Sequence, residues 1–267
     1  MVALVGERSL VLDVDGRVAW LRLNRPDAMN ALNVQLLHEL DGALDSIAAS
    51  DQVRVVVVTG NGRAFCAGAD LKESSNESGE VDPRALVKFV SSAGRTINRL
   101  TEIPQPVIAA VNGLALAGGL EIVLACDIVV AAQGARLGDA HANYGLLPGA
   151  GGATRMARVV GPNVAKYLAF TGRSLPASEL VSPGLVNEVV ADAELMTRVG
   201  ALAAEIAGKS PVGLARMKRL IDDSLEQPLA TALRLELAAL EAQAHSSDLR
   251  EGLAAFRQKR TPDFPGN

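Results

Sequence analysis

Cysteine is scarce: Cys66 and Cys126 are the two in 267 residues. Two thiols cannot build a multi-bridge framework, and a chain folded in a reducing cytosol is the simplest expectation. A basic excess is missing too. The net charge is −4, with 26 Lys and Arg against 30 Asp and Glu, so nothing favours a nucleic-acid backbone or an anionic membrane as partner. A small anionic ligand stays open, because it needs only a local cluster of cations. No apolar run approaches the roughly 20 residues a membrane helix requires, and Glu7 and Arg8 interrupt the N-terminal segment; a cytoplasmic protein is expected. Histidine is limited to His38, His141 and His245, scattered without metal-ligand spacing, so no metal is indicated.

What is present is apolar: 49% of the residues are hydrophobic, enough for one large core or for a core with a smaller appendage. Val11 to Val14 and Val18 to Leu23, joined by Asp15-Gly16, read as a hairpin, since Asp-Gly tolerates the positive backbone angles of its turn. Asn33 is placed to cap a helix whose Leu36, Leu37, Leu40, Leu44 and Ile47 recur at helical spacing. The β-branched runs Val53 to Thr59 and Val107 to Val111 predict buried parallel strands. Between them, residues 73–82 are polar and read as a mobile loop, and Pro83 opens a helix with Leu86, Phe89, Val90, Ala93, Ile97 and Leu100 on one face. Strand and helix signals alternate to about residue 192, which predicts an α/β region at 1–192. From 193 to 267 the β-branched runs stop and four helices are expected, near 194–208, 211–224, 229–243 and 246–257.

Two loops carry chemistry. Thr59-Gly60-Asn61-Gly62-Arg63-Ala64-Phe65-Cys66-Ala67-Gly68-Ala69-Asp70 leaves one buried strand, and Asn112-Gly113-Leu114-Ala115-Leu116-Ala117-Gly118-Gly119-Leu120-Glu121 leaves another. Small side chains let a ligand reach the backbone, and free amides at such turns suit an oxyanion. Read alone, each is equally a tight surface turn. Together, after two parallel strands, they fall at one end of a sheet, where α/β sites lie.

The strings GNGRAFCAGAD, IPQPVIAAVNGLALAGGLEI, ACDI, LLPGAGGATR and REGLAAFRQKR resemble, in order and spacing, those of enoyl-CoA hydratases and their isomerase relatives, the crotonase superfamily, from about Val11 to Phe264. The resemblance implies a spiral of β-β-α units followed by a C-terminal helical subdomain that takes part in oligomerisation, assembled as a homotrimer or a dimer of trimers. It implies an acyl-CoA thioester as substrate, with coenzyme A part of that substrate and no separate cofactor. The oxyanion amides fall on Ala69 and Gly118, and the first catalytic carboxylate on Glu121. The second carboxylate of a typical hydratase lies twenty residues further on, where this chain has His141. Imidazole can still serve as acid or base, and beside Glu121 it would hold its proton longer. The implied reaction is hydration of a trans-2-enoyl-CoA, with Glu121 activating water and His141 protonating the α-carbon. Isomerisation, thioester hydrolysis and acyl-CoA binding without catalysis are the alternatives.

For the CoA channel the resemblance points to Arg25, Ala28, Ala67, Ala69, Asp70, Leu71 and Gly118, with Lys72 reaching a phosphate. Phe256 and Lys259 match positions that pack on or pair with the nucleotide, often from an adjacent subunit, while Asp27 stands where many relatives have Lys. Two other readings are weaker. A nucleophilic Cys66 needs a base or another neighbour that lowers its pKa, and a triad of Asp139, His141 and a serine has no G-x-S-x-G elbow to present the serine.

Overall fold

The structure, a computed structural model, describes residues 8–74 and 81–267. Its strands in chain order are β1 (Leu10–Asp15), β2 (Val18–Leu23), β3 (Val55–Gly60), β4 (Ala64–Cys66), β5 (Val107–Val111), β6 (Leu114–Leu116), β7 (Ile128–Ala132), β8 (Arg136–Gly138), β9 (Ser174–Pro176) and β10 (Glu188–Val190). The helices are α1 (Val34–Ala48), α2 (Pro83–Glu102), α3 (Gly118–Leu124), α4 (Gly152–Thr171), α5 (Leu195–Ala207), α6 (Pro211–Ser224), α7 (Leu229–Ala244) and α8 (Ser247–Gln258). Most of the 73–82 loop lies outside the described residues.

Six strands form one sheet in the order β1-β2-β3-β5-β7-β10. The hairpin β1-β2 is antiparallel and every other pairing in this sheet is parallel, with Trp20 opposite Val57, Val57 opposite Ile108, and Ala109 opposite Val129. All residues of β3 and β5 are buried, as expected of strands covered on both faces. β4, β6, β8 and β9 make a second, smaller sheet. The chain therefore repeats one unit: a strand in the large sheet, a short strand in the small sheet, then a helix, as in β3-β4-α2, β5-β6-α3 and β7-β8-α4.

Helix signals act as the sequence predicts. The Asn33 side chain accepts from the Leu36 amide at 2.9 Å and starts α1, whose Leu36, Leu37, Leu40, Leu44 and Ile47 are all buried. In α2, opened by Pro83, Phe89, Ala93, Ile97 and Leu100 are buried, with Leu86 and Val90 at the margin. The four C-terminal helices fall within two residues of the expected ranges. α5 packs on β2, β3, β5 and β7, and its Leu195, Val199, Ala203 and Ala207 belong to the same core cluster as the strands, although the boundary at 192/193 precedes it. α6 and α7 differ in having no fully buried residue. Among the described residues, no helix is long and apolar enough to cross a membrane.

One buried cation fastens α6 to the core. Lys218 Nζ lies 2.9 Å from Asp127 Oδ2 and donates at 3.1 Å to the Leu100 and Gln105 carbonyls, its side chain only 8% exposed. Burial pushes the Asp127 carboxyl above its ordinary range, while the Lys218 charge and the Val107 amide pull it back. Removing one partner of such a pair leaves the other desolvated and unpaired. Lys218→Met should therefore lower unfolding stability by about 3 kcal/mol, read as a reduced urea midpoint; an unchanged midpoint would show that the anchor contributes nothing.

Candidate active site

The two small-residue loops meet because glycine lets them. Gly68 has φ +111°, and a Cβ built there would lie 3.0 Å from the Ala117 Cβ and 3.6 Å from the Gly118 nitrogen. Gly119 sits so near β4 that an added Cβ would fall 2.1 Å from the Cys66 carbonyl oxygen, an approach no other residue allows. Ala117, just before α3, has φ +48° and ψ −115°, a strained conformation for a residue with a Cβ. Its amide is held by the Gly138 carbonyl at 3.1 Å.

Ala69 forms a parallel bridge with Leu32, in which Leu32 N–H donates to the Gly68 carbonyl and Asp70 N–H to the Leu32 carbonyl, both at 2.8 Å. In that pattern the Ala69 N–H points away from Leu32. Gly118 opens α3, where an amide has no carbonyl within its own helix to bond.

Glu121 lies in the first turn of α3 and is 4% exposed. Its Oε1 accepts from the Ala150 amide at 2.7 Å and the Gly152 amide at 2.9 Å. The buried charge is thus met by backbone donors from the turn before α4, which satisfies the requirement that a desolvated carboxylate be hydrogen-bonded. Arg155 stiffens the same turn, donating to the Ala150 carbonyl at 2.9 Å and to Asn98 Oδ1 at 2.6 Å. Burial lowers the Arg155 pKa, with the Glu121 charge acting in the opposite direction.

His141 begins a short 3-10 turn, His141–Tyr144, packed against α4. Its Nδ1 is 2.9 Å from Asp139 Oδ1, with the two side chains 12% and 3% exposed. Partial burial works to lower the imidazole pKa, but the hydrogen bond and charge of Asp139 and the charge of Glu121 outweigh it, and the net shift is upward.

The β2 and β4 exit loops bring together most of the positions assigned to coenzyme A. Arg25 Nη2 pairs with Asp70 Oδ2 at 2.9 Å, and Arg25 also donates to the Ala31 carbonyl. Asp70 Oδ1 accepts from the Lys72 amide at 3.3 Å, and Ala67 N–H donates to the Met29 carbonyl at 3.0 Å, one residue beyond Ala28. Leu71 and Lys72 are exposed in the following 3-10 turn. Phe256 and Lys259 are on and just after α8. Phe256 is 83% exposed, and the hydrogen bonds of this segment run to Ser210 and to the C-terminal residues Asp263 and Gly266.

Four residues that hold this site together went unassigned. Asn30, fully buried with φ +56°, donates to the Asn61 and Ala64 carbonyls and accepts from the Arg25 amide. Asn112 bonds the Gly60 amide and the Gly62 and Ala64 carbonyls. Asp139 and Arg155 complete the set. Asp139, two positions before His141, was the legible one; the others act through backbone contacts that no spacing reveals. Cys66 is buried, and burial pushes its thiol up to about 12, the opposite of an activated nucleophile. Among the described residues, no group of three or more His, Cys, Asp or Glu could hold a metal ion.

A spiral of strand-strand-helix units whose glycine-packed loops converge on a buried carboxylate defines the crotonase class of fold. The sequence profile of the enoyl-CoA hydratase/isomerase family matches residues 13–267, and the chain belongs to that family. It is 38% identical over 253 residues to the short-chain-enoyl-CoA hydratase of Clostridium acetobutylicum, covering 94% of this chain and 95% of that protein. It is 39% identical over 257 residues to the 2,3-dehydroadipyl-CoA hydratase of Escherichia coli K12, covering 96% and 98%. The crystal structure of an enoyl-CoA hydratase from Bacillus anthracis matches with a TM-score of 0.93 at 39% identity, covering 97% of this chain and all of that one.

The raised Cys66 pKa has a direct readout. Iodoacetamide at pH 8 should leave Cys66 unlabelled in the folded protein and label it after denaturation, as followed by peptide mass spectrometry. Labelling of the native thiol at the rate of free cysteine would contradict its burial.

Proposed function

We propose that this protein hydrates a trans-2-enoyl-CoA to a 3-hydroxyacyl-CoA. The observation that carries the reading is the Glu121 carboxylate, buried and held through Oε1 by two amides, on the helix whose first amide adjoins the Ala69 loop. The family membership and the hydratase names of the relatives point the same way. The N–H groups of Ala69 and Gly118 receive the thioester oxygen as it takes on negative charge, each donor being worth about 3 kcal/mol on the usual scale. Glu121 takes a proton from water as the water oxygen bonds to the β-carbon. His141 gives a proton to the α-carbon, closing the enolate, and the excess proton on Glu121 returns to His141 through solvent. The two relatives named above carry the names of hydratases for different acyl groups, a short-chain enoyl group and a dehydroadipyl group.

The nucleotide end of the substrate runs past Arg25, Ala28, Ala67, Asp70, Leu71 and Lys72, with Phe256 and Lys259 supplied by a neighbouring subunit. A homotrimer or dimer of trimers provides that neighbour. The free subunit exposes a run of large apolar side chains on α6 and α7, among them Met217, Ile221, Leu229, Leu233, Leu237 and Leu240, more than isolated surface hydrophobics explain. Light scattering at micromolar concentration should give three or six times the 27.8 kDa chain mass; a monomer overturns the assembly.

Glu121→Gln keeps an oxygen for the Ala150 and Gly152 amides but has no base, so hydration turnover should fall at least about 100-fold with CoA-ester binding retained. His141→Ala should cost about as much and remove the alkaline limb of the pH-rate profile, whereas His141→Glu should retain activity. The sign follows from the mechanism: turnover needs His141 protonated, so activity is lost as pH rises through its elevated pKa. Product analysis on 2- and 3-enoyl-CoA substrates, following hydration, double-bond migration and free thiol separately, decides among the family's reactions. Exclusive isomerisation or thiol release would overturn the hydratase reading, and binding without turnover would make the protein an acyl-CoA binder.

A further inference from the structure

We infer that Asp139 is a positioning residue for His141, and that the acid of this site is an Asp139–His141 dyad in which the carboxylate fixes the ring through Nδ1 and leaves Nε2 to exchange the proton. The inference rests on the hydratase reading and deepens it.

Three features of the structure carry it. The Nδ1 to Oδ1 distance is 2.9 Å, and the Asp139 side chain is nearly closed to solvent. The pair is also fixed by backbone: Ala140 adopts φ +59°, and the His141 amide donates to the Asp139 carbonyl at 2.8 Å. This fold of three residues turns a carboxylate and a ring two positions apart towards each other. Finally, the turn that follows leads into the Ala150 and Gly152 amides holding Glu121, so the dyad and the amides that hold the carboxylate of α3 are borne on one connection before α4.

The chemical consequence concerns tautomers. A neutral imidazole has two, and a carboxylate at Nδ1 selects the one with its hydrogen on Nδ1. In the imidazolium both nitrogens carry hydrogen. Transfer of the Nε2 proton to the substrate α-carbon forms the C–H bond and leaves the Nδ1–H tautomer already paired with Asp139. The ring need not turn before Nε2 recovers a proton. The charged groups bearing on the ring are Asp139 at the end of β8 and Glu121 on α3, while Arg155 on α4 is committed to the Ala150 carbonyl and Asn98.

The test pairs kinetics with nitrogen NMR. In Asp139→Asn, kcat for enoyl-CoA hydration should fall 10- to 100-fold on the scale of general acid catalysis, KM should stay within about threefold, and the alkaline limb should move to lower pH by about one unit. Imidazole 15N spectra, with His141 assigned by its loss in His141→Gln, should show the Nδ1–H tautomer in the native protein and a lower pKa in Asp139→Asn. In a His141→Glu background there is no ring to orient, so the cost of Asp139→Asn should shrink to within about threefold. An equal cost in both backgrounds, whether in rate or in folded fraction, overturns the dyad and leaves Asp139 a merely structural residue. Unchanged kcat and unchanged spectra overturn it as well. If the native protein hydrates no enoyl-CoA, the hydratase reading fails separately, and the spectra alone then decide the pairing: a shift on Asp139→Asn supports it, and none refutes it.

Discussion

A carboxylate buried in a wholly enclosed seven-residue helix imposes the organisation of this molecule. All of α3 is buried, so Glu121 needs donors brought to it. The Ala150 and Gly152 amides provide them, and that fixes where the chain must pass before α4. Arg155 and Asn98 then tie this passage to α2. The helix in turn reaches its place because Gly119 leaves no side chain between α3 and the β4 carbonyl of Cys66. Buried Asn30 and half-buried Asn112 perform the matching task for the other loop, bonding the Gly60 amide and the carbonyls of Asn61, Gly62 and Ala64. The site is held mainly by backbone groups, with a few polar side chains as clamps.

This division explains what could be read from the sequence. The hairpin at Asp15-Gly16, the Asn33 cap and the β-branched runs of β3 and β5 are local signals with strong periodicity, and each forms the expected element. The strands of the second sheet are three residues long and show no periodicity; Ala64–Cys66 reads as part of a loop until its pairing with Leu114–Leu116 is seen. Helix α5 carries the same kind of amphipathic signal as α6, yet one lies on the sheet and the other outside the core, because long-range packing and not local pattern decides which face is covered. Glu121 and His141 were picked out as candidates by their spacing within an ordered set of motifs. Asn30 was not, since a left-handed asparagine beside Arg25-Pro26 has no distinguishing neighbour in the chain.

Beyond α5, which is packed into the core, the C-terminal helices are tied down by polar contacts. Lys218 reaches through to Asp127 and two carbonyls, Arg54 donates to the carbonyls of Ala207 and Phe264, and Asp248 accepts from Ser210 and Gly266. Directional bonds of this kind set an orientation without filling a large interface. α6 and α7 are thereby held in a defined pose while Met217, Ile221, Leu229, Leu233, Leu237 and Leu240 remain outward.

The anchoring of Glu121 by the amides of Ala150 and Gly152 also bears on how such a site changes over evolutionary time. A main-chain donor does not depend on the identity of its side chain, so residue 150 can drift in size, within the room left by its neighbours, without unseating the carboxylate, whereas at Gly152 an added Cβ would lie 3.2 Å from Glu121 Oε1. The place of the carboxylate and the surface of the turn are thereby governed by different atoms, main chain for the one and side chains for the other. Side chains along the turn can change while the buried carboxylate stays where it was.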